Sequence, residues 1–119
     1  MTVVDPELAM STDSGWQYAI VWEFRVRPGC EGQFEQVYGP QGDWARFFRQ
    51  GRGYAATQLI RDESDPRRYL TIDFWRSRAD YEAFRQQHAE EYRIIDEKCE
   101  TMTEREVSLG TFERVQTAG

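Results

Sequence analysis

The sequence contains no asparagine, a single histidine, His88, and a single lysine, Lys98. One imidazole beside two scattered cysteines, Cys30 and Cys99, falls short of the several close-set ligands that zinc or non-haem iron requires. It also leaves a Cys/His nucleophilic pair without its usual partners. Fourteen of the 15 basic residues are Arg, interleaved with 21 acids to a net charge of -6. The basic stripe that a phosphate backbone demands is therefore missing, and nucleic acid is excluded as a partner. No apolar run approaches the ~20 residues that span a bilayer, and the opening MTVVDPELAMSTDSG has no basic segment followed by an apolar core. The expectation is a cytoplasmic protein with no membrane partner and with both cysteines reduced. Gly29, Gly32, Gly39, Gly42, Gly51 and Gly53 match neither the dinucleotide fingerprint nor the phosphate loop, and no cofactor is expected.

Aromatic residues, by contrast, make up 14% of the chain within a heavily charged background, the composition of a compact core under a polar surface. At 119 residues there is room for one domain, read as 16–115 between short tails at 1–15 and 116–119. Trp16 to Arg27 alternates: Tyr18, Ile20, Trp22, Phe24 and Val26 share one face of a strand. Pro28-Gly29 stops it. Phe34, Val37 and Tyr38, then Trp44, Phe47 and Phe48 behind Asp43, follow at helical spacing. Tyr54 to Arg61 and Arg68 to Arg76 read as a hairpin around the polar loop Asp62 to Pro66, with Leu70, Ile72 and Phe74 on one face of its second strand. Ser77 with Asp80 forms a capping box, after which Tyr81, Phe84, His88, Tyr92, Ile95, Cys99 and Met102 trace one stripe. That stripe predicts a single long helix from Ser77 to about Thr101. Glu104 to Val115, interrupted by Gly110, completes the set as a strand.

The order β, α, β, β, α, β predicts an α+β fold of the ferredoxin-like kind, a four-stranded antiparallel sheet with the helices on one face. The opposite face, expected to carry Ala19, Val21, Ala55, Thr57, Thr71 and Trp75, is left open and suits a second sheet, so a homodimer is expected. A one-residue register error would exchange the two faces.

The stretch Thr71-Ile72-Asp73-Phe74-Trp75-Arg76-Ser77 followed by Tyr81, Phe84, His88 and Tyr92 resembles antibiotic biosynthesis monooxygenase domains. So do the opening Phe24-Arg25-Val26-Arg27-Pro28-Gly29 and the Trp44-to-Tyr54 stretch, and the resemblance extends from about Tyr18 to Phe112. It implies a dimeric α/β barrel built from two sheets, and a cofactor-independent monooxygenase acting with dioxygen on an electron-rich aromatic, quinol or polyketide-type substrate. Some relatives instead cleave haem. Those members use a strand Asn, absent here, and a helix Trp ten residues before the His, where this chain has Arg78, so haem degradation loses support. The alternative is a non-catalytic dimeric module of the same fold that binds a small aromatic ligand or serves as an accessory protein.

Several residues are candidates for the chemistry. His88 is the natural proton acceptor near neutral pH, set against a reading as a core histidine satisfied by Tyr92 or a backbone carbonyl. Tyr92 stands one turn beyond it. Asp73, a carboxylate in an apolar strand, either orients a substrate hydroxyl or faces the dimer interface and pairs with Arg25 or Arg27. Trp22, Phe24, Trp44, Phe48, Tyr69, Phe74 and Trp75 are candidates for the walls of an aromatic substrate site, with plain core packing as the other explanation. Cys30, near a helix start, is a weak candidate nucleophile, and Cys99 belongs to the apolar stripe.

Overall fold

A computed structural model describes residues 15–116; apart from Gly15 and Gln116, the tails expected at 1–15 and 116–119 lie outside the described residues. The chain runs β1 (Tyr18–Val26), α1 (Glu31–Tyr38), α2 (Asp43–Phe48), β2 (Tyr54–Arg61), β3 (Arg68–Trp75), α3 (Arg78–Gln87), α4 (Ala89–Cys99), a 3₁₀ turn (Glu100–Met102) and β4 (Thr103–Glu113). The strands form one antiparallel sheet in the order β2-β3-β1-β4. This is the α+β, ferredoxin-like arrangement that the sequence predicts.

Each boundary has a local cause. After β1, Gly29 takes φ 87°, a conformation side chains disfavour, and the Cys30 amide donates to the Arg27 carbonyl to close the turn. Gly42, which precedes α2, lies so close to the end of α1 that an added Cβ would meet the Gln36 and Val37 carbonyl oxygens at 2.3 Å. At the start of α3 the Ser77 hydroxyl accepts from the Asp80 amide at 3.0 Å, satisfying one of the helix's orphan donors.

The long helix expected from Ser77 to Thr101 is two helices. His88 sits between α3 and α4 with φ -120° and ψ 31°, outside the helical region. Hydrogen bonding still runs through it, from the His88 amide to Phe84 and from the Tyr92 amide to His88. The apolar spacing is preserved across the break, so periodicity could not reveal it.

The cross-strand pairs fix the faces. Tyr18 opposes Trp75, Ile20 opposes Asp73, Trp22 opposes Thr71 and Phe24 opposes Tyr69, all beneath the helices. Thr57, which opposes Asp73, belongs to this face too. The expectation that Thr57, Thr71 and Trp75 lie on the open face is therefore corrected: Thr57 and Thr71 are buried, and Trp75 is wholly enclosed. Leu70, Ile72 and Phe74 take the open side instead, alongside Ala19, Val21 and Ala56. Both sets are apolar enough to pass for a core, so alternation identifies the pairs without saying which set the helices cover.

The covered face is an aromatic core. Phe34 stacks on Tyr38 with ring centroids 4.2 Å apart, and Phe84 packs against Phe47 at 4.8 Å and Trp75 at 5.4 Å. Such offset and edge-on contacts add roughly 0.5–1.5 kcal/mol per pair beyond area burial.

Candidate active site

Between the sheet and the helices the aromatic packing is incomplete and leaves a cavity of about 50 Å³. β1 contributes Trp22 and Phe24, α1 and α2 contribute Tyr38, Trp44 and Phe48, β2 and β3 contribute Thr57, Thr71 and Asp73, and α4 contributes Tyr92 and Asp96. Trp44 is the corner of the wall: its ring lies 5.7 Å from Phe48 and 5.0 Å, edge-on, from Tyr92. Its Nε1 is buried without an acceptor among the protein atoms. The Tyr38 hydroxyl and the Cys99 thiol are its polar neighbours.

Asp73 is the polar centre of the lining. The Thr57 hydroxyl donates to Asp73 Oδ1 at 2.6 Å, and the Tyr54 hydroxyl lies 2.6 Å from Thr57 Oγ1. Because Thr57 has one proton and gives it to Asp73, Tyr54 must donate to Thr57, so the chain runs Tyr54 to Thr57 to Asp73. A β-bulge makes this possible. Residues 54 and 57 are an odd number apart and would face opposite sides of a regular strand, but the pairing of β2 with β3 shifts between Tyr54 and Ala56.

Among the described residues no ion pair reaches Asp73, and Arg25, one of its two expected partners, is engaged with Asp65 at 2.6 Å. Burial pushes the Asp73 carboxyl up to about 6, opposed only in part by the Thr57 hydrogen bond. At neutral pH the group is thus mostly ionised yet poised to take a proton. Burial also raises the Tyr92 hydroxyl above its ordinary range. Behind Tyr92 the Arg85 guanidinium sits 3.7 Å from the ring centroid and donates to the Tyr81 hydroxyl at 2.8 Å.

Of the candidates read from sequence, the cavity brings together Asp73, Tyr92, Trp22, Phe24, Trp44 and Phe48. His88 lies outside the lining. Its ring packs 4.5 Å from Phe84 and edge-on to Phe47, and Nδ1 is hydrogen-bonded to Glu91 Oε1 at 2.8 Å. Trp75 is core, Tyr69 donates to Glu35 Oε2 at 2.5 Å, and Phe74 packs on Trp16 across the sheet from the cavity. Cys30 and Cys99 are free thiols.

Sequence reasoning passed over Tyr38, Thr57, Thr71 and Asp96. Two signals were available: Thr71 and Asp73 are two apart on one strand and must share a face, and Asp96 follows Tyr92 by one helical turn. Thr57 carried no such signal, because the bulge hides its phase.

The sequence profile named "Antibiotic biosynthesis monooxygenase" matches residues 17–93. The chain belongs to that family. The match stops short of β4, and the shared pattern includes both the Asp73 strand and the Tyr92 turn. Among solved structures, SnoaB, a cofactor-independent oxygenase from Streptomyces nogalater, is similar with a TM-score of 0.69 at 20% identity, over 86% of this chain and 96% of its own. PA3566 from Pseudomonas aeruginosa gives 0.61 at 15% identity, over 85% and 96%. A conserved protein from Methanosarcina mazei Go1 gives 0.63 at 8% identity, over 86% and 96%. At these identities the likeness concerns the fold. No functionally curated protein matches the chain. Family membership supports a monooxygenase-type function, and among the described residues no helix is long and apolar enough to cross a membrane.

The raised Asp73 carboxyl has a consequence for stability. Its folded pKa of about 6 exceeds its ordinary 3.8, so folding favours the protonated form and the group opposes folding increasingly as pH rises between those values. Asp73→Asn is expected to stabilise the protein at about pH 8 by roughly 1–3 kcal/mol, with the gain fading below about pH 4. Urea unfolding at the two pH values checks this, and a loss of stability at the higher pH would contradict it.

Proposed function

We propose that the protein is a cofactor-independent monooxygenase that oxidises an electron-rich phenol, anthrone or quinol with dioxygen, using Asp73 as the base. The observation that carries the reading is a carboxyl raised by burial, aligned by Thr57, in an aromatic-walled cavity. Proton transfer to a group whose pKa lies near the working pH is efficient, and such catalysis contributes typically 10²–10⁴-fold.

Asp73 removes a proton from the bound substrate, and the resulting anion is electron-rich enough to pass one electron to dioxygen. The substrate radical and superoxide combine into a peroxide, and the peroxide O–O bond then breaks. For a methylene carbon such as that of an anthrone, one oxygen stays as the new carbonyl and the other leaves as water with the two displaced hydrogens. The substrate supplies all the electrons, so no external reductant is needed. Trp22, Trp44, Phe48 and Tyr92 exclude water and hold the ring, so the protein's contribution is to position, desolvate and deprotonate.

The cavity volume sets a condition. A dry cavity of about 150 Å³ accepts benzene, and this one measures about 50 Å³. A wall side chain must therefore move, or only the reacting edge of a fused ring is enclosed. The second reading, a binding module that does no chemistry, meets the same condition.

We also infer a homodimer joined through the open sheet faces, the two sheets closing a barrel. Leu70, Ile72 and Phe74 form an apolar row there, and Ile60 and Phe112 are 47% and 50% exposed in the single chain. An uncovered surface of this character is the usual mark of an interface.

Oxygen uptake by metal-free protein with anthrones, quinols and polycyclic phenols tests the enzyme reading. The expected result is uptake above the uncatalysed rate that falls about 100-fold or more in Asp73→Asn and changes less than about threefold in His88→Ala. Uptake that survives in Asp73→Asn but is lost in His88→Ala would return the base to His88. No uptake with any substrate would favour the binding module. Light scattering of the wild type should give twice the chain mass, and Ile72→Glu, at the middle of the open face, should give the mass of one chain; a wild-type monomer would overturn the dimer.

A further inference from the structure

The walls of the cavity hold two carboxylates, Asp73 and Asp96, and no Arg, Lys or His. Asp73 serves as base in the reading above, which leaves Asp96 without a role. It lies one turn beyond Tyr92 on α4 and shares the lining with Trp44 and Tyr38. None of the ion pairs among the described residues includes it.

Further acids stand nearby. Glu106, which opposes Phe24 on β4, stands exposed at the rim, its carboxyl raised by partial desolvation and by the charges of Asp96 and Glu100. Within the lining itself, two carboxylates face aromatic rings with no basic side chain among them, an arrangement that a bound cation would relieve. Behind the lining, Arg85 sits over Tyr92, is bonded to Tyr81 and feels the Asp96 charge without an ion pair to it. Among the lining side chains themselves the charges are Asp73 and Asp96, both negative.

Aromatic faces add to the same preference. Their negative quadrupoles attract cations, and cages of Trp and Tyr with a carboxylate are a recurrent solution for binding ammonium groups. Among the described residues no three His, Cys, Asp or Glu side chains converge as metal ligands, which turns the argument toward an organic cation.

We propose that the ligand of this cavity carries a protonated or quaternary amine next to its aromatic ring, and that Asp96 is the specificity residue that selects it. The proposal rests on the cavity being the substrate site, and it adds a charge requirement to the phenol or quinol chemistry assigned there. Anionic aromatics should be rejected for the same reason.

Two phenols of nearly equal shape isolate the charge: 4-hydroxyphenyltrimethylammonium and 4-tert-butylphenol. Binding of each is measured by titration calorimetry to the wild type, Asp96→Asn and Asp96→Glu, with oxygen uptake recorded in parallel on uncharged substrates. The expected result is that the wild type binds the cation at least tenfold more tightly, that the preference falls toward unity in Asp96→Asn, and that Asp96→Glu restores it. Equal binding by the wild type, a preference for the neutral phenol, a preference that survives in Asp96→Asn, or no binding of the cation at millimolar concentration overturns the proposal. Asp73-dependent oxygen uptake without cation preference would sink this inference and leave the oxygenase reading standing. Cation preference without uptake would do the reverse.

Discussion

A carboxylate largely screened from water by aromatic walls and held by one hydroxyl is the feature on which the candidate site depends. Asp73 belongs to a central strand beneath aromatic side chains, where ionisation is costly, and Thr57 offsets part of that cost through a 2.6 Å hydrogen bond. Thr57 can do so only because Tyr54 donates to it in turn, and Tyr54 reaches it only because β2 is bulged. A backbone irregularity at one end of an edge strand thus fixes the protonation behaviour of a group in its neighbour. The stability this arrangement forgoes is what a site designed for proton transfer would be expected to forgo.

The sheet separates two kinds of apolar surface. Under the helices lie aromatics, which bury large areas and whose edge-on contacts leave an opening around Asp73. On the other side lie aliphatic and small residues with Phe74 and Phe112, a flatter surface suited to a second sheet. The ligand site proposed under the helices and the association proposed through the open face thus draw on different side chains.

Much of this was legible in the sequence, and the failures share a physical origin. The strands, the turns at Pro28-Gly29 and Asp62 to Pro66, and the Ser77 cap follow from alternation and from residues with strict backbone preferences. The assignment of faces followed for β1, where Ala19 and Val21 lie on the open side as expected, but not for β2 and β3, because Leu70, Ile72 and Phe74 are as hydrophobic as a core row, while the row that is covered includes Thr71 and Asp73. Polar residues on the covered face are the mark of a site, and they are what made that face look exposed. His88 drew attention by its chemistry, since it is the one imidazole; its placement between two helices, packed on Phe84 and paired with Glu91, is set by a break that leaves the apolar spacing unchanged. Asp73 was among the candidates, but its hydrogen-bond partner could not be, since the bulge at Ala55 shifts Thr57 out of the phase a regular strand would give it.

The measurement that tests the account most directly is a carbon-detected NMR titration of the Asp73 carboxyl in the wild type and in Thr57→Val. The account predicts a wild-type midpoint near about 6, with a further rise in the variant, because the lost hydrogen bond had favoured the charged form. A wild-type midpoint at the ordinary aspartate value of about 3.9, or a fall on removing the Thr57 hydroxyl, would contradict it.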